Sequence, residues 1–122
     1  MTSTIEIALG STEFEAILSS TGAQIVFEDD GDTKYLYVLG RDNSIQETIQ
    51  LRDCDCGNLK SESVLTIAWS KCGNIAKASI AQNVVAIVDF ERQQVYSLSA
   101  FSTPKSWRKV EHAVAEKCFT SS

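Results

Sequence analysis

Four carboxylates, Glu28, Asp29, Asp30 and Asp32, crowd around Gly31. Oxygen-rich clusters of this kind can hold a hard cation, and paired carboxylates can act as general acid and base. The spacing does not match the helix–loop–helix calcium pattern, which needs Asp or Asn at set offsets, a glycine and a later glutamate. Glycosidase chemistry needs a sugar cleft larger than a 122-residue chain can readily wall in. A solvated hairpin tip or an acidic protein-contact surface fits the cluster better than a bound cation.

Four thiols and one imidazole complete the reactive inventory. Cys54-Asp-Cys56, Cys72 and Cys118 offer one tight pair and two singles, whereas structural zinc uses two pairs with two to four residues between partners. The redox pattern Cys-x-x-Cys at a helix start is missing as well. His112 is the only histidine. A hydrolase would have to recruit it with Asp89 or a thiol, yet the chain has no nucleophile elbow or Cys-protease signature. Phosphate-binding glycine loops are absent too. No metal and no cofactor is expected.

These residues sit on short strands. Ile25–Val38 places two runs rich in β-branched and aromatic residues on either side of Asp30-Gly31, the strongest short-range hairpin signal. Its strands are expected near 23–29 and 33–39, with Tyr35 and Tyr37 on one face. Alternating or apolar runs predict further strands at 4–9, 13–18, 45–51, 64–69, 75–81, 84–90 and 95–98. Val84–Phe90 is the most apolar and reads as central. Ser19–Gly22, Lys71–Asn74 and Glu91–Gln94 read as turns, and Arg52–Ser63 as loop. Thr103-Pro104 reads as a helix start, with Trp107, Val110, Ala113, Val114 and Cys118 on its apolar face. Trp69 and Trp107 are expected to pack together in the core.

At 122 residues with 43% apolar content, the chain is expected to form a single domain over 1–122 that buries its core without disulfides or metal. Helices between strands are missing, which argues against a parallel sheet. The expected fold class is α+β: an antiparallel, curved β-sheet of six to seven strands, or a partial barrel, with one C-terminal amphipathic helix packed on it. The net charge is −5, and residues 1–32 carry seven carboxylates with no Lys or Arg. That balance disfavours direct binding of nucleic acid or anionic membrane, both polyanions. No signal peptide or membrane-length apolar run is visible, so the cytoplasm and reduced thiols are expected.

The segments Phe27-Glu-Asp-Asp-Gly-Asp-Thr-Lys-Tyr-Leu-Tyr37, Leu65-Thr-Ile-Ala-Trp-Ser70 and Ala86-Ile-Val-Asp-Phe90, followed by Trp107, stand in an order that resembles an uncharacterised bacterial family, domain of unknown function 2251. The resemblance runs from Gln24 to Trp107. The family's usual turn has Gly after the Thr, where this chain has Lys34. The resemblance implies a small bacterial cytoplasmic protein and brings no activity or catalytic residues with it.

The expected function is a non-catalytic protein-binding module, most concretely an immunity or antitoxin-like protein that blocks a basic toxin domain. Glu28, Asp29, Asp30, Asp32, Tyr35 and Tyr37 are its expected partner-binding residues. The alternatives are a small hydrolase using His112 and a small-molecule or metal sensor.

Overall fold

Eleven strands and one helix are present in the computed structural model, which describes residues 4–8, 13–19, 21–29, 34–40, 42, 44–51, 64–80, 83–97, 103–104 and 107–121. The strands are β1 (Thr4–Ala8), β2 (Glu13–Leu18), β3 (Gln24–Asp29), β4 (Lys34–Leu39), β5 (Ile45–Leu51), β6 (Val64–Trp69), β7 (Ile75–Ile80), β8 (Asn83–Asp89), β9 (Gln94–Ser97), β10 (Thr103–Pro104) and β11 (Arg108–Lys109). Helix α1 spans His112–Ser121. The class is α+β, as the sequence implies, but the strands form two sheets where one curved sheet is expected. One sheet runs β1-β6-β7-β8-β9-β11 and the other β10-β5-β4-β3-β2.

The reason for two sheets lies in the alternation of apolar residues. Ile25, Phe27, Leu36, Val38 and Ile49 point to one face of the five-stranded sheet, and Leu65, Ile67, Trp69, Ala76, Ala78 and Val88 to one face of the other. Both sets belong to one continuous core, so each sheet buries its apolar face against its counterpart. The six-stranded sheet has a second apolar face. There Ile75 and Ile87 meet Ala115, with Val84, Tyr96, Val110, Cys118 and Phe119 packed around them. This is why β8 is buried from Val85 through Asp89: the other sheet lies on one side of it and α1 on the other. A register shift opposite Ala78/Ser79 lets Val85 and Ala86 both enter the inter-sheet core.

The C-terminal segment departs from expectation. Thr103-Pro104 does not start a helix; it pairs with Thr48 and Glu47 at the edge of the five-stranded sheet. An edge position tolerates proline because the missing N–H has no ladder partner to serve. Arg108 and Lys109 then run parallel to β9. The N–H groups of Arg108 and Val110 donate to the carbonyls of Gln93 and Val95 at 2.8 and 2.9 Å. Trp107 and Val110, three apart as in a helical stripe, instead enter cores on opposite faces of the six-stranded sheet. The helix therefore begins at His112, and it buries Ala115 in place of the expected Ala113 and Val114, which are exposed. None of the described helices is long and apolar enough to cross a membrane.

A candidate protein-contact face and an inter-sheet cleft

The alternation of β3 and β4 decides where the sequence-predicted contact residues go. Phe27 and Asp29 share the inward phase of β3, and Lys34, Leu36 and Val38 that of β4. Glu28, Tyr35 and Tyr37 take the outward phase. Glu28 pairs across the strands with Tyr35, and Val26 with Tyr37. The Tyr37 hydroxyl donates to Glu28 Oε1 at 2.8 Å, and the two tyrosine rings stack with centroids 5.9 Å apart. The result is a half-buried aromatic pair tied to a carboxylate, on the sheet face away from α1.

Asp29 is not part of that group. It is 1% exposed and faces inward, with Lys34 Nζ 3.9 Å from Oδ1. An enclosed carboxylate cannot meet a partner's surface, so Asp29 leaves the outward contact set. Asp30 and Asp32 lie outside the described residues, as do Cys54 and Cys56. Cys72 is exposed, its Sγ 3.4 Å from the Ser70 hydroxyl, and Cys118 is half-buried. Among the described residues, no group of three or more His, Cys, Asp or Glu is placed to hold a metal ion.

His112 lies in the first turn of α1, stacked on Tyr96 with centroids 4.8 Å apart. Its Nε2 is 3.4 Å from Glu116 Oε2. Glu116 in turn accepts a 2.8 Å hydrogen bond from Lys77 Nζ, whose ammonium also lies 4.5 Å from the Phe119 ring centroid. This network anchors the helix to β7 and β9. The other proposed partner, Asp89, is turned to a structural task. Its Oδ1 accepts from the N–H groups of Glu91 and Arg92, and its Oδ2 meets the Arg92 guanidinium at 3.0 Å.

The hydrogen bond from Lys77 holds the Glu116 carboxyl below its ordinary value of 4.5; burial opposes the shift and His112 supports it. A carboxyl lowered in the folded state stabilises above its unfolded pKa, and loses that contribution as pH falls through the folded value. Acidification from pH 6 to 3 is thus expected to loosen α1 before the sheets, read as lower amide-exchange protection at Ala115–Phe119 relative to the intrinsic rate at each pH. Glu116→Gln should remove the pH dependence of that local opening. An unchanged profile in the variant would contradict the assignment.

No motif announces the cleft at the end of the sandwich opposite the Asp29 and Lys34 ends of β3 and β4. Here the β2–β3, β4–β5, β6–β7 and β8–β9 turns converge. The hydroxyls of Ser19 and Thr21 both donate to the Gly73 carbonyl, at 2.5 and 3.0 Å, and so tie one sheet's turn to the other's. Gly73 has φ +81°, a left-handed conformation that glycine adopts without strain. The cleft measures about 800 Å³. Phe90 and Trp107 line its interior. The two rings meet edge to face with centroids 5.5 Å apart, and Phe90 also lies 5.8 Å from Trp69. The two tryptophans are core residues, as expected, with Phe90 between them.

Asp42 and Glu91 line the same cleft, with the amide side chains of Gln46, Asn74 and Gln93. Asp42 comes from the five-stranded sheet's β4–β5 turn and Glu91 from the β8–β9 turn of the other sheet. Asp42 Oδ1 accepts from the Ser44 hydroxyl at 2.6 Å and the Ser44 N–H at 3.1 Å. The Ser44 hydroxyl, then its N–H, hold that carboxyl below its ordinary value and keep it ionised at neutral pH. Glu91 Oε2 accepts from the Asn74 amide at 3.2 Å. Neither His112 nor Asp89 lines this space, and no Lys or Arg is among its described lining residues.

Glu47, 1% exposed on β5, sits on the inward phase with Ile49 and Val38. Its Oε1 accepts a 2.9 Å hydrogen bond from the backbone N–H of Trp107. A strand whose apolar residues recur every second position, interrupted in phase by a carboxylate, is the sequence signal that marks this residue.

The amino-acid sequence that forms these two sheets and their helix matches a family model over nearly its whole length. The chain belongs to DUF2251, a family described as an uncharacterized protein conserved in bacteria, whose model matches residues 8–121. Comparison with curated proteins and with solved structures produced no match.

Proposed function

We propose that the protein is a non-catalytic binding module of the immunity or antitoxin type, working in the bacterial cytoplasm to neutralise a basic toxin domain. The observation that carries this reading is the Glu28–Tyr37–Tyr35 group on the outer face of the five-stranded sheet. Tyrosines supply large, rigid contact area and are enriched among the residues that dominate binding energy. The group adjoins the strand ends that lead into Asp30 and Asp32, in a chain of net charge −5. A cationic surface shaped for nucleic-acid backbone would be drawn to such a face by long-range steering.

The test is capture of the tagged protein's partner from its native cell, followed by calorimetry on the purified pair. A cationic partner is expected, bound more weakly as salt rises. Tyr35→Ala and Tyr37→Ala should each weaken binding by about 2 kcal/mol. Joint charge reversal at Glu28, Asp30 and Asp32 should slow association more than it speeds dissociation. An acidic partner, or a basic one indifferent to all of these changes, would sink the proposal.

A further inference from the structure

The inter-sheet cleft carries an inference independent of the contact face. Its volume, about 800 Å³, lies within the range of pockets that enclose small organic ligands. Its chemistry is uneven in an informative way. Phe90 and Trp107 provide aromatic surface, and Trp107 is 6% exposed. The amides of Gln46, Asn74 and Gln93 donate or accept. The acidic residues among the described lining residues are Asp42 and Glu91, one from each sheet, and no Lys or Arg stands with them. A phosphate, nucleotide or carboxylate ligand would meet like charge from both sides. A purely apolar ligand would leave Asp42 and Glu91 to be partly desolvated without compensation. A cation answers both objections, because carboxylates pair with it and aromatic faces attract it. Carboxylates contributed from turns of both sheets, in a lining that also holds Phe90 and Trp107, suit a ligand with separated charges and an apolar middle.

We propose that this cleft binds a free aliphatic polyamine, a methylene chain carrying two or more protonated nitrogens, with its charged ends at Asp42 and Glu91 and its chain against Phe90 and Trp107. The hydrogen bonds of Asp42 run through Oδ1, and that of Glu91 through Oε2. Each carboxylate has further lone pairs to offer an ammonium group. No covalent step is involved, and the contact is ionic and dispersive.

The experiment is isothermal titration of the full chain with spermidine at low salt, with Trp fluorescence recorded in parallel. Saturable binding at one equivalent is expected, with a fluorescence change from Trp107. Raising ionic strength to about 0.15 M, where the screening length is about 8 Å, should weaken it. Asp42→Asn and Glu91→Gln preserve an oxygen for Ser44 and Asn74, and each is expected to weaken binding about fivefold. Glu111→Gln, an exposed carboxylate just before α1, should leave binding unchanged. The proposal is overturned by no saturable heat at millimolar spermidine, by indifference to both cleft substitutions, or by an equal loss in Glu111→Gln. Binding of an oligolysine peptide without binding of spermidine would overturn it too, by marking the cleft as a protein contact.

Discussion

Trp107→Ala is expected to lower stability by about 3–5 kcal/mol, the cost of emptying a large aromatic from a packed interior. The side chain is 6% exposed, packs edge to face on Phe90 and belongs to the core shared by both sheets. It sits between β10, which pairs in one sheet, and β11, which pairs in the other. Its loss therefore removes filler where the sheets are joined by a few residues of chain. Alanine also removes one wall of the cleft, so the cavity it leaves is open to water and collapses poorly. Urea unfolding followed by circular dichroism measures the loss as a lower midpoint at unchanged slope. A loss below about 1 kcal/mol would mean that this indole adds little to the joint.

The second large effect falls on the other side of the same contact. Glu47→Ala is expected to cost about 3 kcal/mol, because it leaves the buried N–H of Trp107 without its acceptor and opens space beside Ile49 and Val38. Glu47→Gln keeps an amide oxygen where Oε1 stood and should cost about half as much or less. The comparison separates acceptor from charge: if Gln is as harmful as Ala, the ionised form of Glu47 is what the site requires. Trp107→Ala leaves its own backbone N–H in place, so the two substitutions remove different things. Their combination is expected to be non-additive, since the residues touch. Thermal unfolding of the four proteins in one buffer tests this directly.

The local structure was largely legible. The hairpin of β3 and β4, the alternating runs of β1 and β5, the apolar run of β8 and the Gly-containing turns at 19–22 and 71–74 all follow from period-two patterning and turn chemistry. What alternation cannot say is which half-buried sheet a strand joins. β1 and β2 are separated by four residues yet enter different sheets, and nothing in their sequences distinguishes those partners. The C-terminal segment misled for a different reason. Trp107 and Val110 satisfy helical spacing equally well when a short extended segment sends them to opposite faces of a sheet buried on both sides.

The site divides along the same line. Tyr35 and Tyr37 are readable as one face because they stand two apart on a strand, whereas Glu28 comes beside them only through the β3–β4 register. Asp29 stands apart from Glu28 although it is next in sequence, because adjacent strand residues point to opposite faces. The cleft was invisible because its lining comes from turns far apart along the chain. No motif holds Asp42, Gln46, Asn74, Glu91 and Trp107 together; only the closing of one sheet on the other does.

Strands β10 and β11 belong to different sheets although three residues separate them, and both follow β9 in sequence. During synthesis, β2 to β5 can pair as soon as they are made, since each neighbours the next in sequence. The edge beside β9, by contrast, stays open until Lys109 has left the ribosome. An unfinished edge is a place where chains stick to one another, so β9 stays open to misassembly until β11 pairs with it.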